Sequence, residues 1–123
     1  LNRIKFFFSA DLELSEYMFK NFEAMACGCI LVAYRQGHGE EEQFGLVDME
    51  NVILYSDAAE AKRKIAQVQQ DASLQKRIAA AGQKLVEDRH QIGMRAEPFY
   101  EALKDPILAY QLSWKDKLNS FRI

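Results

Sequence analysis

The stretch FEAMACGCILV, from Phe22 to Val32, decides the fold. Its first half is helical in character and carries one carboxylate, Glu23, among apolar and small neighbours. It stops at Gly28, the residue type that suits the left-handed turn closing a helix. An apolar run, Cys29 to Tyr34, follows at once and predicts a strand. A helix passing into a strand through one glycine is half of a βαβ crossover. Upstream, Ile4 to Ser9 reads as the strand on the other side. In open parallel sheets, ligands sit where a strand's carboxyl end meets the following helix. Here that place is Ala10 to Tyr17.

The composition is that of an ordinary globular domain: 123 residues, 49% hydrophobic and 28% charged. A net charge of −2 gives no basic surface for nucleic acid. No apolar run approaches the roughly 20 residues that span a bilayer, and no signal peptide is visible. Cys27 and Cys29 flank Gly28 too closely to pair, and no C-x-x-C spacing is present. Both read as small buried packing residues, which suits a reducing, cytoplasmic setting. The chain opens on Leu1, and its three readable strands are apolar in the manner of strands covered on both faces. Three parallel strands leave two edges to cover. The expectation is therefore the C-terminal piece of a larger α/β domain.

Along the chain, Ser15 is a candidate N-cap for a helix from about Glu16 to Cys27. Met18, Phe22 and Met25 form its apolar stripe, and Glu16 and Lys20 an i,i+4 pair on another face. Gly37-His38-Gly39 reads as a flexible loop. Glu40, Glu41 and Glu42 read as the solvated acidic start of a short helix that Phe44 anchors in the core. Asn51 to Tyr55 is the third strand. Asp57 and Glu60 make a D-x-x-E capping box for a helix with the stripe Ala61, Ile65 and Val68. Asp71 to Ser73 interrupt it. The next stripe is Leu74, Ile78, Ala81 and Leu85. Pro98 either starts or kinks a later helix. Asp105-Pro106 restarts the chain as an amphipathic helix with the stripe Ile107, Tyr110, Trp114, Leu118 and Phe121.

No G-x-G-x-x-G, phosphate-loop, H-x-x-x-H or G-x-S-x-G motif occurs, and no complete catalytic set can be read. What remains is the entrance to the first helix. Backbone N–H groups at Ser15 to Met18 suit an anion such as a diphosphate, although Glu16 competes for the same positive field. Glu23 lies two turns on. It either reaches a pair of ligand hydroxyls or faces solvent beside Lys20.

Taken in order, FEAMACGCILVAY, G-x-G-E-x-x-x-F from Gly37 to Phe44, ENVILYSDAAEA, and RIAAAGQKLVEDRH with Arg95 resemble a known series. It is the C-terminal half of group 1 glycosyltransferases of the GT-B fold, in particular the spore-maturation-protein-like subgroup. The resemblance covers about residues 4 to 103. It implies a Rossmann-like three-layer parallel sheet, the later part of the half that binds a nucleotide-sugar donor, followed by extra C-terminal helices. By this resemblance Glu23 matches the second carboxylate of the family's E-x7-E signature, which holds the donor's ribose hydroxyls. The first carboxylate falls at Ser15, a departure. Lys20 stands where the subgroup often has arginine. His90 and Arg95 match a late H…R pair and read as fixing a helix junction. The implied nucleotide-sugar-binding residues are Ser15, Glu16, Tyr17, Lys20 and Glu23, with no catalytic residue assigned and no metal required.

The expected organisation is a partial nucleotide-sugar-binding domain over residues 1–104 and an amphipathic helix over 105–123. The expected function is the donor-binding segment of a glycosyltransferase, inactive alone. The alternative is a non-catalytic binding or scaffolding module of the same fold. Expected partners are the donor and an N-terminal half of the enzyme; the tail stripe is expected to pack either on the chain's own sheet layer or on a second copy in a symmetric homodimer, which the bare edge of the first strand also favours.

Overall fold

The computed structural model describes residues 5–10 and 16–104. Ile4, Ser15 and the helix expected from Asp105 lie outside the described residues. Strand β1 (Phe6–Ser9) is followed by helix α1 (Phe19–Ala26), strand β2 (Ile30–Tyr34), a one-turn helix α2 (Glu40–Phe44) and strand β3 (Ile53–Tyr55). Helices α3 (Ala58–Gln70), α4 (Ala72–Arg89) and α5 (Ile92–Lys104) complete the order. The three strands form one parallel sheet in the order β1-β2-β3, with Phe8 opposite Val32 and Ala33 opposite Leu54.

Each strand alternates between two apolar faces, as the period of two requires. Phe7, Leu31, Ala33, Val52 and Leu54 pack with Met25 of α1 and with Leu85 and Val86 of α4. On the other face Phe6, Ile30, Val32, Ile53 and Tyr55 pack with Ala61, Ile65 and Val68 of α3 and with Leu74 and Ile78 of α4. Met25, Leu31, Ile53, Leu54 and Ile78 are fully buried. Each such side chain contributes about 1.5–3 kcal/mol relative to exposure.

Helix α4 serves both faces because its glycine lets it pass close under the sheet. A Cβ on Gly82 would stand 2.8 Å from the Asn51 carbonyl, just ahead of β3. The buried stripe of α4 is accordingly Leu74, Ile78, Gly82 and Val86. The expected Ala81 and Leu85 are only half-buried.

The turn out of α1 is as the sequence implies. Gly28 takes φ +76°, its N–H donates to the Met25 carbonyl, and the Cys29 N–H donates to the Ala24 carbonyl. That is the Schellman pattern, which satisfies two orphan carbonyls of the helix end. Of the two cysteines, Cys29 is buried and Cys27 is exposed. The expectation that both are buried is therefore corrected. Cys27 caps α1 on the helix's outer side, while Cys29 already belongs to the path into β2.

The chain divides into two compact units between Ile92 and Gly93. Helix α5 begins at Ile92, six residues ahead of Pro98, and runs through it, so the proline does not start the helix. Its missing N–H removes one bond from the helical ladder. Phe99, Tyr100 and Leu103 are exposed on α5. Among the described residues no helix is long and apolar enough to cross a membrane.

Candidate functional site

The carboxyl ends of the three strands lie on one edge of the sheet, and the segments leaving them build the site. After β1 the chain enters α1 at Phe19, three residues later than the sequence suggests. Tyr17 and Met18 account for the delay. Tyr17 turns inward, 8% exposed, and Met18 is extended at φ −72°, ψ 151°. Met18, not Ser15, is therefore the N-cap, and its side chain makes no capping bond. The first turn holds no acidic residue. The N–H groups that lack an intrahelical acceptor belong to Phe19 and Lys20, while Asn21 N–H donates to the Met18 carbonyl at 2.9 Å. The open end of the helix, where the sequence leads one to expect an anion, is therefore at Phe19 and Lys20 rather than at Ser15 to Met18.

The side chains expected at the site are now placed, apart from Ser15. Glu16 is exposed ahead of the helix, which begins at Phe19, so it makes no helical i,i+4 pair with Lys20. Lys20 is exposed in the first turn. Glu23 is exposed on the outer side of α1, one turn after the exposed Phe19. Asn21, Ala24 and Met25 face inward. Phe22 is half-buried against the core. Glu23 is thus open to a ligand approaching α1 from outside the sheet.

Tyr17 does something the sequence did not suggest. Its hydroxyl donates to Glu41 Oε1 at 2.8 Å. The same oxygen accepts from the N–H groups of Gln36 (2.8 Å) and Gly37 (3.1 Å). One buried carboxylate therefore ties the entrance of α1 to the loop leaving β2. Burial alone would raise the Glu41 carboxyl. The Gly37 and Gln36 amides and the Tyr17 hydroxyl outweigh it and hold Glu41 below the usual carboxylate range. Burial, and then the Glu41 charge, push the Tyr17 phenol well above its ordinary value. The reading of Glu40 to Glu42 as a solvated acidic run is corrected at Glu41. A recognisable signal was Phe44 three residues on, which places Glu41 on the buried side of α2.

The third exit, from β3 into α3, is closed by a second polar network. Asp57 accepts from the Glu60 N–H and Glu60 Oε2 from the Ser56 N–H, each at 2.8 Å. Lys64, with a side chain only 9% exposed, binds Asp48, Glu60 and the Leu54 carbonyl. Asp48 in turn accepts from the Leu54 N–H. Burial would lower the Lys64 ammonium, but Asp48 and Glu60 hold it above its ordinary value. Arg35 reaches the same Asp48 carboxylate at 3.6 Å.

His90 caps α4, with Nε2 2.8 Å from the Phe44 carbonyl, so that nitrogen carries the proton. Its ring centroid is 4.6 Å from that of Phe22. It joins α1, α2 and α4, as a residue fixing a helix junction does. The side chain of Arg95 lies outside the described residues. Among the described residues no three His, Cys, Asp or Glu side chains gather as metal ligands.

A family model described as glycosyl transferase-like matches residues 2–101. The chain matches no curated protein and no solved structure at a significant level.

Proposed function

Because the chain belongs to the glycosyl transferase-like family, we propose that it is the donor-binding segment of a glycosyltransferase, within the C-terminal half of a GT-B enzyme. It binds a nucleotide sugar whose glycosyl group passes to an acceptor held by an N-terminal half. The observation that carries this reading is the open N-terminus of α1 at the sheet's carboxyl edge, without a side-chain cap and without an acidic residue in its first turn. Such an end holds a diphosphate through backbone N–H groups and the helix dipole.

In this reading the Phe19 and Lys20 amides and the Lys20 ammonium meet the diphosphate. They stabilise the charge that develops on it as the glycosyl bond breaks, a role that needs no bound metal. Glu23 accepts from the two ribose hydroxyls. Tyr17, its hydroxyl engaged by Glu41, positions the entrance of α1 rather than touching the ligand. Glu16, exposed just ahead of α1, flanks the bound donor. The protein works in the cytoplasm, where nucleotide sugars are made.

A second reading has one residue in its favour. Ser15 stands where the resembled signature has its first carboxylate, so a binding module that no longer transfers sugar remains the alternative.

Calorimetry of the full-length protein with uridine and guanosine diphosphates tests the proposal. One of them binds, and Glu23→Ala weakens it by more than tenfold at an unchanged unfolding midpoint, as the loss of hydroxyls from a charged acceptor requires. Equal affinity in the variant removes Glu23 from the site. Binding of the donor without sugar transfer favours the second reading.

A further inference from the structure

Asn21, in the outermost turn of α1 and next to the exposed Lys20, is 2% exposed, and its Oδ1 has no hydrogen-bond partner. Folded proteins satisfy nearly all such atoms, so an exception asks for a partner that is not part of the resting protein. Helical side chains lean toward the helix N-terminus. The amide therefore leans, on the inward face of α1, toward the end where the Phe19 and Lys20 N–H groups emerge. The other orphaned buried side-chain atom among the described residues is Glu40 Oε2, which opens α2 just beyond β2. Both orphans are acceptors, and both stand at the carboxyl edge of the sheet. A phosphate group satisfies neither, because its oxygens also accept. A ligand bearing hydroxyls beside its phosphates satisfies such atoms.

We propose that Asn21 is a specificity residue of the donor site: its Oδ1 accepts a hydrogen bond from a hydroxyl of the donor's glycosyl group, beside the diphosphate held at the N-terminus of α1. This rests on the donor-site reading above and adds recognition of the sugar to it. The pairing distinguishes a nucleotide sugar from the nucleoside diphosphate left after transfer, since only the former carries the glycosyl hydroxyls. Loss of that bond on transfer favours release of the product.

The test uses Asn21→Leu in the full-length protein, a change of similar size that removes the orphan. The probes are uridine and guanosine diphosphates, and UDP-glucose, UDP-N-acetylglucosamine and GDP-mannose. The unliganded variant melts at or above the native temperature. Its affinity for the nucleotide sugar that the native protein binds falls about tenfold, one hydrogen bond's worth. Its affinity for the matching nucleoside diphosphate stays unchanged. Unchanged sugar affinity overturns the proposal. An equal loss for the nucleoside diphosphate also overturns it, by placing the amide at the phosphates or ribose. A lower melting temperature without ligand overturns it too, by making the amide a folding contact. If the native protein binds nucleoside diphosphates but none of the nucleotide sugars, only this proposal fails. If it binds neither, the donor-site reading fails as well.

Discussion

The entrance of α1 and the entrance of α3 are the same kind of junction, a helix beginning at the carboxyl end of a parallel strand, yet they are finished differently. At α3 the cap and the charged side chains have partners within the protein. Asp57 caps, Glu60 completes the box, and Lys64 is satisfied by two carboxylates and a carbonyl. At α1 the cap is Met18, which offers no side-chain acceptor, and Asn21 is left with a buried orphan oxygen. The α3 entrance is capped by its own side chains, whereas the α1 entrance has no side-chain cap and is the end where, on our proposal, a ligand supplies bonds.

The largest expected effect comes from breaking the closed junction. Lys64→Ala takes the shared cation from Asp48 and Glu60, leaving Asp48 only the more distant Arg35, and should cost about 3 kcal/mol, read by chemical denaturation. A loss below about 1 kcal/mol would mean that the network is only a surface one. Next is the carboxylate that ties the two ends together. Glu41→Gln removes a charge that accepts three hydrogen bonds and should cost about 2 kcal/mol. Because the folded protein holds Glu41 below its ordinary value, its contribution is full above the unfolded carboxylate range and is lost as pH falls through the lower, folded value. The native protein should therefore lose stability on acidification, and Glu41→Gln should lose less. Parallel acid titrations of the two would remove Glu41 from this account.

Smaller is the cap itself. Asp57→Ala should cost about 1 kcal/mol. The smallest effect on folding belongs to the open junction. Lys20→Ala should change stability by no more than about 0.5 kcal/mol, as for an exposed side chain that makes no ion pair among the described residues. If it destabilises as much as Asp57→Ala, the two junctions are not the contrast described.

Much of the fold was legible because burial writes itself as period. The two-sided strands, the Gly28 turn, the Asp57 box and the break at Asp71 all follow from local chemistry, and each stands where the sequence suggests. What escaped the sequence were charged residues on buried faces. Lys64 completes an i, i+3, i+4, i+7 pattern with Ala61, Ile65 and Val68, but its charge reads as solvent. Its burial depends on Asp48, 16 residues away and on another element. Glu41 is likewise buried only because Tyr17, 24 residues upstream, turns in to meet it. That same long-range bond shifts the start of α1 away from Ser15, which local capping preference favours. At the site, Lys20 and Glu23 could be nominated from pattern and resemblance. Asn21 could not, because an unsatisfied atom is a property of packing in three dimensions.

The most direct measurement is to follow backbone amide resonances of the isotopically labelled full-length protein while uridine or guanosine diphosphate is added. The account predicts the largest shifts at Phe19, Lys20 and Asn21, smaller ones at Gln36 and Gly37 through the Glu41 tie, and little change at Ala58 to Glu60. Shifts centred on the entrance of α3, or none at α1 while the nucleotide is demonstrably bound, would contradict it.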